Sequence, residues 1–470
     1  MIVFFIFLPV IIPLAVFILF VRWIRQRPCF LHDPLPGGQR PFVIGFFHPY
    51  CNAGGGGERV LWTAIRAIQN KHSHVHCVVY SGDTEANENV IMQRVKERFN
   101  ITIPRPVYFV WLHRRGFVEA KPYPILTLLG QSLGSMLLGF EALVKFVPDL
   151  YIDTMGYAFT IPIFKYIGGC KVGCYVHYPT ISTDMLERVS QRTSAHNNAS
   201  FISKSPVLSS VKLIYYKIFA YMYGTAGKCS DFVMVNSTWT QGHILSLWGA
   251  ECTRIVYPPC DTQEFSQSFL AVDSAKEMHS IISVSQFRPE KDHSLQVDAF
   301  AQFLTGRHGN DRHAYELVLL GSCRNDGDAE RVAELKKLAA KRGISDKVRF
   351  ELNVSFNELK KELHSATVGL HTMWNEHFGI GVVEMQAAGL VVLAHNSGGP
   401  KLDIVTQYEG GPTGFLASDI DTYAAQLEEI FRMTPERRLA VRVNARESVE
   451  RFSEEKFESN FLEITSPFVL

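Results

Sequence analysis

Apolar positions dominate the start of the chain without interruption. Met1 to Phe20 carry no charged side chain and lack the polar alternation of a surface helix. At about 1.5 Å per residue, such a run reaches about 30 Å as a helix, enough to cross a bilayer core. Pro9 and Pro13 bend it without forbidding a span. A cleaved signal sequence would need a basic start and a small-residue cleavage site, but Ile2 follows the initiator, and Val21, Arg22 and Trp23 follow the run. The pattern predicts a transmembrane anchor over 1–21. Arg22, Arg25, Arg27 and Arg40 all come after it and no basic residue precedes it. The positive-inside rule then leaves the rest of the chain on the cytosolic side.

Residues 22–41 hold Pro28, Pro34, Pro36, Pro41, Gly37 and Gly38, and read as a linker. Beyond it, short apolar runs alternate with helical periodicity. Strands are expected at Phe42–Phe47, His76–Tyr80, Val107–Leu112, Leu150–Asp153, Val172–His177 and Phe232–Asn236, with helices such as Glu58–Asn70 and Asn87–Phe99 between them. A second series has strands at Ile281–Ser285, Glu316–Leu320, Val348–Glu351, Val368–His371 and Val391–Ala394. Its helices include Ser294–Leu304, Ala329–Arg342 and Phe378–Ala388. This alternation predicts an α/β chain of two doubly wound, Rossmann-like domains facing a cleft, 42–260 and 261–450, with a final helical stretch over 451–470. The aperiodic Val256–Phe265, with Pro258 and Pro259, marks the junction.

Two stretches are unusually apolar for a soluble domain. Ile125–Val147 holds one acid, Glu141, and one base, Lys145; Leu213–Tyr223 is aromatic and apolar. They read either as buried core helices or as helices pressed into a membrane interface. Gly130, Gln131, Gly134 and Glu141 argue against a further full span.

Composition narrows the functions. Lys plus Arg is 47 and Asp plus Glu is 46, so the strongly basic footprint of a nucleic-acid binder is missing. The nine cysteines contain no Cys-x-x-Cys, which speaks against a disulfide framework or a cysteine zinc site and for a reducing compartment. His72, His74 and His76 alternate as on a strand, but without a nearby carboxylate or cysteine they read as solvated edge positions. Asp326-Gly327-Asp328 and Asp419-Ile420-Asp421 read as polar turns opening helices rather than as metal ligands.

Three segments carry candidate chemistry. Gly54, Gly55, Gly56 and Gly57 lie between a strand and a helix start, where backbone can approach an anion. The loop lacks the Lys-Ser or Lys-Thr of a phosphate-binding P-loop, and alone reads equally as a tight turn. Arg288 and Lys291 follow the first strand of the second series. Two cations there can grip a diphosphate or stay solvated. Finally, Glu376 and Glu384 stand eight apart around a glycine-containing helix start, Phe378-Gly379-Ile380-Gly381. Two carboxylates so placed can accept hydrogen bonds from hydroxyls at both ends of a nucleotide sugar whose phosphates sit over the helix amides.

Glu-x7-Glu, the Arg-x-x-Lys tract before it and the glycine-rich loop together resemble the retaining GT-B glycosyltransferases of the glycogen-synthase-like superfamily, in order and spacing over essentially all of 42–465. FFHPYCNAGGGGERVLW, YVHYPT, VNSTWT, YPPCD, SQFRPEKDH and NEHFGIGVVEMQAAG are similar to its eukaryotic branch of α-1,2-mannosyltransferases in asparagine-linked glycan assembly. The resemblance implies GDP-mannose as donor and a dolichol-diphosphate trimannosyl oligosaccharide as acceptor, extended by two α-1,2-mannoses. It places the chain in the endoplasmic reticulum membrane, body on the cytosolic side, and leaves room for other mannosyltransferases as partners; nucleic acid is not one. It implies no metal or other cofactor.

It also assigns roles. Arg288 and Lys291 match the pair on the donor diphosphate, Glu384 the carboxylate on the ribose, and Glu376 the one near the transferred sugar. Gly379 and Gly381, with Phe378 and Ile380 in the same loop, match the segment around that sugar. His177 matches a histidine facing it, though the residue also reads as a packed strand-end histidine. Gly54 to Gly57 match the loop opposite the diphosphate. The domain 42–260 becomes the acceptor domain, 261–450 the nucleotide-sugar domain, and 451–470 a helix returning to the first domain. Two rivals remain: a scaffold that keeps the fold without activity, and an epimerase or a transferase for another donor. Intact Glu376, Glu384, Arg288 and Lys291 oppose the first; the anchor and apolar helices oppose an epimerase.

Overall fold

The computed structural model describes residues 16, 18–26, 40–185, 206–267, 269, 270, 278–305 and 314–469. Most of the expected anchor (1–15 and 17) and linker residues 27–39 lie outside these. The chain divides into two compact units. The first holds Met1–Asn236, Thr240–Val256 and Glu458–Leu470; the second holds Ser237–Trp239 and Tyr257–Phe457. The C-terminal boundary thus falls inside the last long helix, Glu454–Thr465.

The first unit is built on a parallel sheet of seven strands: β1 (Phe42–Phe47), β2 (Val75–Ser81), β3 (Tyr108–Trp111), β4 (Leu150–Asp153), β5 (Lys171–Val176), β6 (Phe232–Val235) and β7 (Thr253–Ile255). Their order is β3-β2-β1-β4-β5-β6-β7, so the winding reverses between β1 and β4. Strands buried on both faces read as continuous apolar runs, and β1 and β4 coincide with the runs that predict them. β7 was not expected: Thr253-Arg254-Ile255 offers one apolar residue. The connecting helices include α1 (Gly56–Lys71), α2 (Glu88–Phe99), α3 (Thr127–Lys145) and α4 (Pro206–Gly227). Asn87 caps α2, its side chain accepting from Val90 N at 3.0 Å.

The second unit repeats the scheme with β8 (His279–Val284), β9 (Tyr315–Gly321), β10 (Val348–Leu352), β11 (Val368–Leu370) and β12 (Val391–His395). A two-stranded hairpin, β13 (Gln407–Tyr408) and β14 (Gly411–Pro412), precedes β15 (Phe415–Ala417). The main sheet is ordered β10-β9-β8-β11-β12-β15, again all parallel. β13, β14 and β15 were not expected, being two or three residues long. Helices α5 (His293–Phe303), α6 (Asp326–Lys341), α7 (Ile380–Ala387) and α8 (Ile420–Arg432) flank it. Asn325 caps α6 and Asp419 caps α8, so the two Asp-x-Asp segments open helices.

The apolar stretches in the first unit are two-faced. α3 buries Leu138, Ala142 and Leu143 but exposes Leu133, Met136, Leu137 and Phe140; α4 exposes Val211, Ile214, Ile218 and Tyr221. The helical residues 18–26 join them. Ile24 is buried in the core, Phe20 stacks on Phe140 at 5.7 Å, and Arg25 donates to the Tyr166 and Ile167 carbonyls. Val16, Ile18, Leu19 and Trp23 remain exposed on this stem. Among the described residues α3 alone is long and apolar enough to cross a membrane. All eight described cysteines are free.

Candidate active site

In the first unit the ends of β1, β4 and β5 lie side by side. The residue after each is His48, Thr154 and His177. Thr154 serves both histidines: its hydroxyl lies 2.8 Å from His48 Nδ1, and its carbonyl accepts from His177 Nε2 at 3.1 Å. A carbonyl oxygen only accepts, so His177 carries its hydrogen on Nε2. Asn236 Nδ2 donates to the His177 carbonyl at 2.7 Å and fixes the backbone there. His48 is fully buried. Burial, then the charge of His177, pushes its imidazole down to about 3, so it stays neutral. Its Nε2 has no hydrogen-bond partner among the described residues.

The glycine-rich loop ends at this pair. A Cβ built on Gly57 would lie 3.5 Å from His177 Nε2 and 3.9 Å from His48 Cε1, ordinary contact distances. Gly55 caps α1, and Glu58 reaches back to the Gly55 N–H at 2.7 Å. Gly54, at φ +80°, is held through its carbonyl by Arg98 Nε at 3.3 Å. On the far side Asn52 N donates to Asp83, which is also ion-paired with Arg115. Arg115 in turn lies over the Tyr50 ring. Sequence reasoning missed His48, Glu58, Asp83 and Arg115; the apolar run ending in His48-Pro49 was the available signal for the first.

The second unit places an ion pair where the first buries the neutral His48 ring. Lys291 and Glu376 form a close ion pair, and His371, directly after β11, sits 3.3 Å from the same carboxylate oxygen. Burial opposes ionisation of Glu376, but the Lys291 ammonium and His371 hold its carboxyl well below the usual carboxylate range. Thr372 Oγ1 donates to the Lys291 carbonyl at 2.8 Å, and Tyr423 OH to that of His371 at 2.8 Å.

The loop bearing Glu376 is locked from below by Ser397-Gly398-Gly399. Asn375, at φ +50°, donates its N–H to Ser397 Oγ at 2.7 Å, and Gly399 N donates to the Glu376 carbonyl at 2.8 Å. Gly398 combines φ +59° with a close approach. A Cβ there would lie 2.3 Å from the Glu376 carbonyl oxygen, so no other residue fits without moving the loop. His395 Nδ1 bonds Ser397 Oγ at 2.8 Å.

The remaining expected residues divide. Gly379, at φ +113°, caps α7, and Gly381 follows within its first turn. Ile380 opens the helix half-buried against the core. Glu384 lies in the second turn of α7, half-buried. Phe378 does not line the site. Its ring is buried against Tyr257 and Phe452, at 5.6 and 5.2 Å, because an apolar side chain in a strand-end loop finds the core. Arg288 is not brought to Glu376; it is half-exposed and 3.8 Å from Glu290. The histidines expected as solvated are half-buried: His76 stacks on Tyr108 and His72 bonds Ser466.

Residues 41–248 match the family described as ALG11 mannosyltransferase N-terminus, and residues 267–448 match Glycosyl transferases group 1. The chain is 58% identical over 431 residues to a GDP-Man:Man(3)GlcNAc(2)-PP-Dol alpha-1,2-mannosyltransferase of Xenopus laevis, covering 92% of this chain and 88% of that protein. The human protein of that name is 55% identical over 443 residues, 94% of this chain and 90% of its own length. Among solved structures, sucrose-phosphate synthase from Thermosynechococcus elongatus aligns at TM-score 0.63 and 16% identity, covering 91% of this chain and 98% of that one. Anabaena Alr3699/HepE in complex with UDP and glucose aligns at 0.61 and 17%, covering 90% and 99%. These likenesses show a GT-B fold.

Proposed function

The chain belongs to the GDP-Man:Man(3)GlcNAc(2)-PP-Dol alpha-1,2-mannosyltransferase family, and from that premise we propose how its residues divide the reaction. It moves mannose from GDP-mannose to the dolichol-diphosphate trimannosyl oligosaccharide, adding two successive α-1,2-mannoses with retention. The observation that carries the assignment of roles is the Lys291–Glu376–His371 cluster beside the capped start of α7. Lys291 takes the donor diphosphate, with the amides at the start of α7 and Arg288 adding positive charge. Glu376, kept ionised, accepts hydrogen bonds from hydroxyls of the transferred mannose, and Glu384 from the ribose. Gly54 to Gly57 and His177 complete the donor set; Phe378 contributes only by packing.

In the reacting step an acceptor hydroxyl attacks the anomeric carbon on the face from which the diphosphate departs. A carbon–oxygen bond to the acceptor forms as the bond to phosphate breaks. The acceptor proton passes to the leaving phosphate, giving GDP and an α-linked product. Lys291 stabilises the charge on GDP as it develops. We expect these groups to suffice without a metal.

The exposed apolar faces of the stem, α3 and α4 support a body pressed against the membrane beside a single N-terminal anchor. We place it on the cytosolic face of the endoplasmic reticulum, with other mannosyltransferases of the pathway as candidate partners. Asn236 and Asn353, each the asparagine of an Asn-x-Ser/Thr sequence, have side-chain amides engaged internally, donating to the His177 and Cys323 carbonyls. The test is a transfer assay on the detergent-solubilised chain, with GDP-mannose, a short-chain lipid diphosphate bearing the trimannosyl core, and a chelator. The expected result is growth by one and then two α-1,2-linked mannoses, lost in Glu376→Ala. Product only from another nucleotide sugar would overturn the donor assignment, and product only with added metal would overturn metal independence.

A further inference from the structure

The first unit contains a cavity of about 200 Å³ that none of these roles uses. By volume it would hold roughly seven waters at about 30 Å³ each, a space on the scale of one monosaccharide ring. Gln131, Ser132 and Ser135 of α3 form one side. Tyr157 and Phe159, in the loop after β4, and Tyr178, after β5, form the other. Met155 and Tyr178 in its lining each follow directly on Thr154 and His177, the residues gathered at Gly57. The cavity therefore sits at the carboxyl ends of two adjacent strands, one residue from the imidazole pair, where parallel sheets bind ligands.

Its chemistry distinguishes between the parts of a lipid-linked acceptor. Among the described residues the lining contains no Lys, Arg or His, so none of them offers a cation to a diphosphate. On its α3 side Ser135 Oγ donates to the Ser132 carbonyl at 2.7 Å and Gln131 Nε2 to the Val118 carbonyl; their side-chain oxygens can still accept hydrogen bonds, which a hydroxylated ligand offers and an isoprenoid does not. A neutral polyhydroxylated ring fits both halves, hydrogen-bonded to the serines and Gln131 with its C–H face against the aromatic rings. The walls are firm. Tyr157 meets Phe47 edge-on at 5.9 Å, Phe159 packs on Phe219 at 5.8 Å, and Gln131 is braced by donating to the Val118 carbonyl at 2.9 Å. The opposite face of α3 is the exposed apolar one, so a ligand here has its polar end in the cavity and apolar surface close by.

We infer that this cavity binds a sugar unit of the acceptor glycan, an inference that rests on reading the first unit as the acceptor-binding one. Two variants of the full chain test it in detergent. Ser132→Leu fills the cavity; Tyr178→Ala removes a wall that is 55% exposed and so costs little packing. The probe is the free trimannosyl glycan without lipid, its binding followed by saturation-transfer NMR, which needs no turnover. The expected result is at least about tenfold weaker glycan binding in both variants, a matching rise in acceptor KM, and unchanged GDP affinity. If Ser132→Leu fails to fold, Tyr178→Ala alone decides. Glycan binding equal to wild type in a folded variant overturns the inference. So does a variant that keeps the glycan and loses a phytanyl diphosphate probe without sugar, which would mark a lipid site. A wild-type chain that binds the glycan through these residues yet transfers no mannose would leave the cavity standing and overturn the mannosyltransferase reading.

Discussion

The two sheets gather residues at equivalent strand ends, β1-β4-β5 in one and β8-β11-β12 in the other, and use them in opposite ways. The first gathers His48, Thr154 and His177 beside a run of glycines; the second gathers Lys291, Glu376 and His371 beside a capped helix start. One centre is hydrogen-bonding and holds His48 neutral; the other is charged and holds Glu376 ionised. The doubly wound fold supplies the place, and the side chains decide what is done there. The second centre fixes a positive charge beside a carboxylate, whereas the first brings glycine backbone within contact distance of its two imidazoles.

The contrast can be broken by substitution, and the largest effect is expected at Glu376. Glu376→Ala removes the carboxylate and should lower kcat/KM for transfer by about 10²–10³-fold, the scale of losing one fixed charge-stabilising group. An activity within tenfold of wild type would deny Glu376 its place beside the transferred sugar.

Acid titration probes the neutral centre. The His48 pKa lies near 3 in the fold, against about 6.5 when unfolded. A depressed histidine contributes stability that is complete above pH 6.5 and is lost as pH falls toward 3. Denaturant unfolding of wild type should therefore lose up to about 3 kcal/mol more between pH 7 and pH 4 than unfolding of His48→Gln. Parallel slopes for the two proteins would mean that His48 is protonated in the fold.

The smallest effect is expected beneath the charged centre. Ser397→Ala removes the acceptor of the Asn375 N–H and a partner of His395. It should cost about 1 kcal/mol in denaturant unfolding and lower kcat by a few-fold through a looser Glu376. Unchanged stability with full activity would show that Gly398 and Gly399 hold the loop without it.

Much of this was legible in sequence where a physical rule acts locally. β1 and β4 are buried on both faces and read as apolar runs; α6 and α8 announce themselves by the polar turns Asp326-Gly327-Asp328 and Asp419-Ile420-Asp421. β7, β15 and the β13–β14 hairpin did not, because two or three residues carry no period. In the charged centre, Lys291 and Glu376 were legible as a motif, but their direct pairing and the third member, His371, were not. His371 stands five residues before Glu376, and only the packing of β11 against β8 and β12 brings it to the carboxylate. Phe378 misled because its place in the motif says nothing about which side of the loop its ring takes. His48 was hidden because a histidine after a strand does not reveal whether it is buried or wet. Gly398 and Gly399 act on a loop twenty residues away, a relation visible only in space.

The division between the two centres is tested most directly by titrating GDP into wild type, Lys291→Met and Tyr178→Ala, and comparing the dissociation constants. With Lys291 carrying the diphosphate and the aromatic cavity of the first unit carrying only acceptor sugar, Lys291→Met should bind GDP at least about tenfold more weakly and Tyr178→Ala should bind it as wild type does. GDP affinity kept in Lys291→Met, or lost in Tyr178→Ala, would contradict the account.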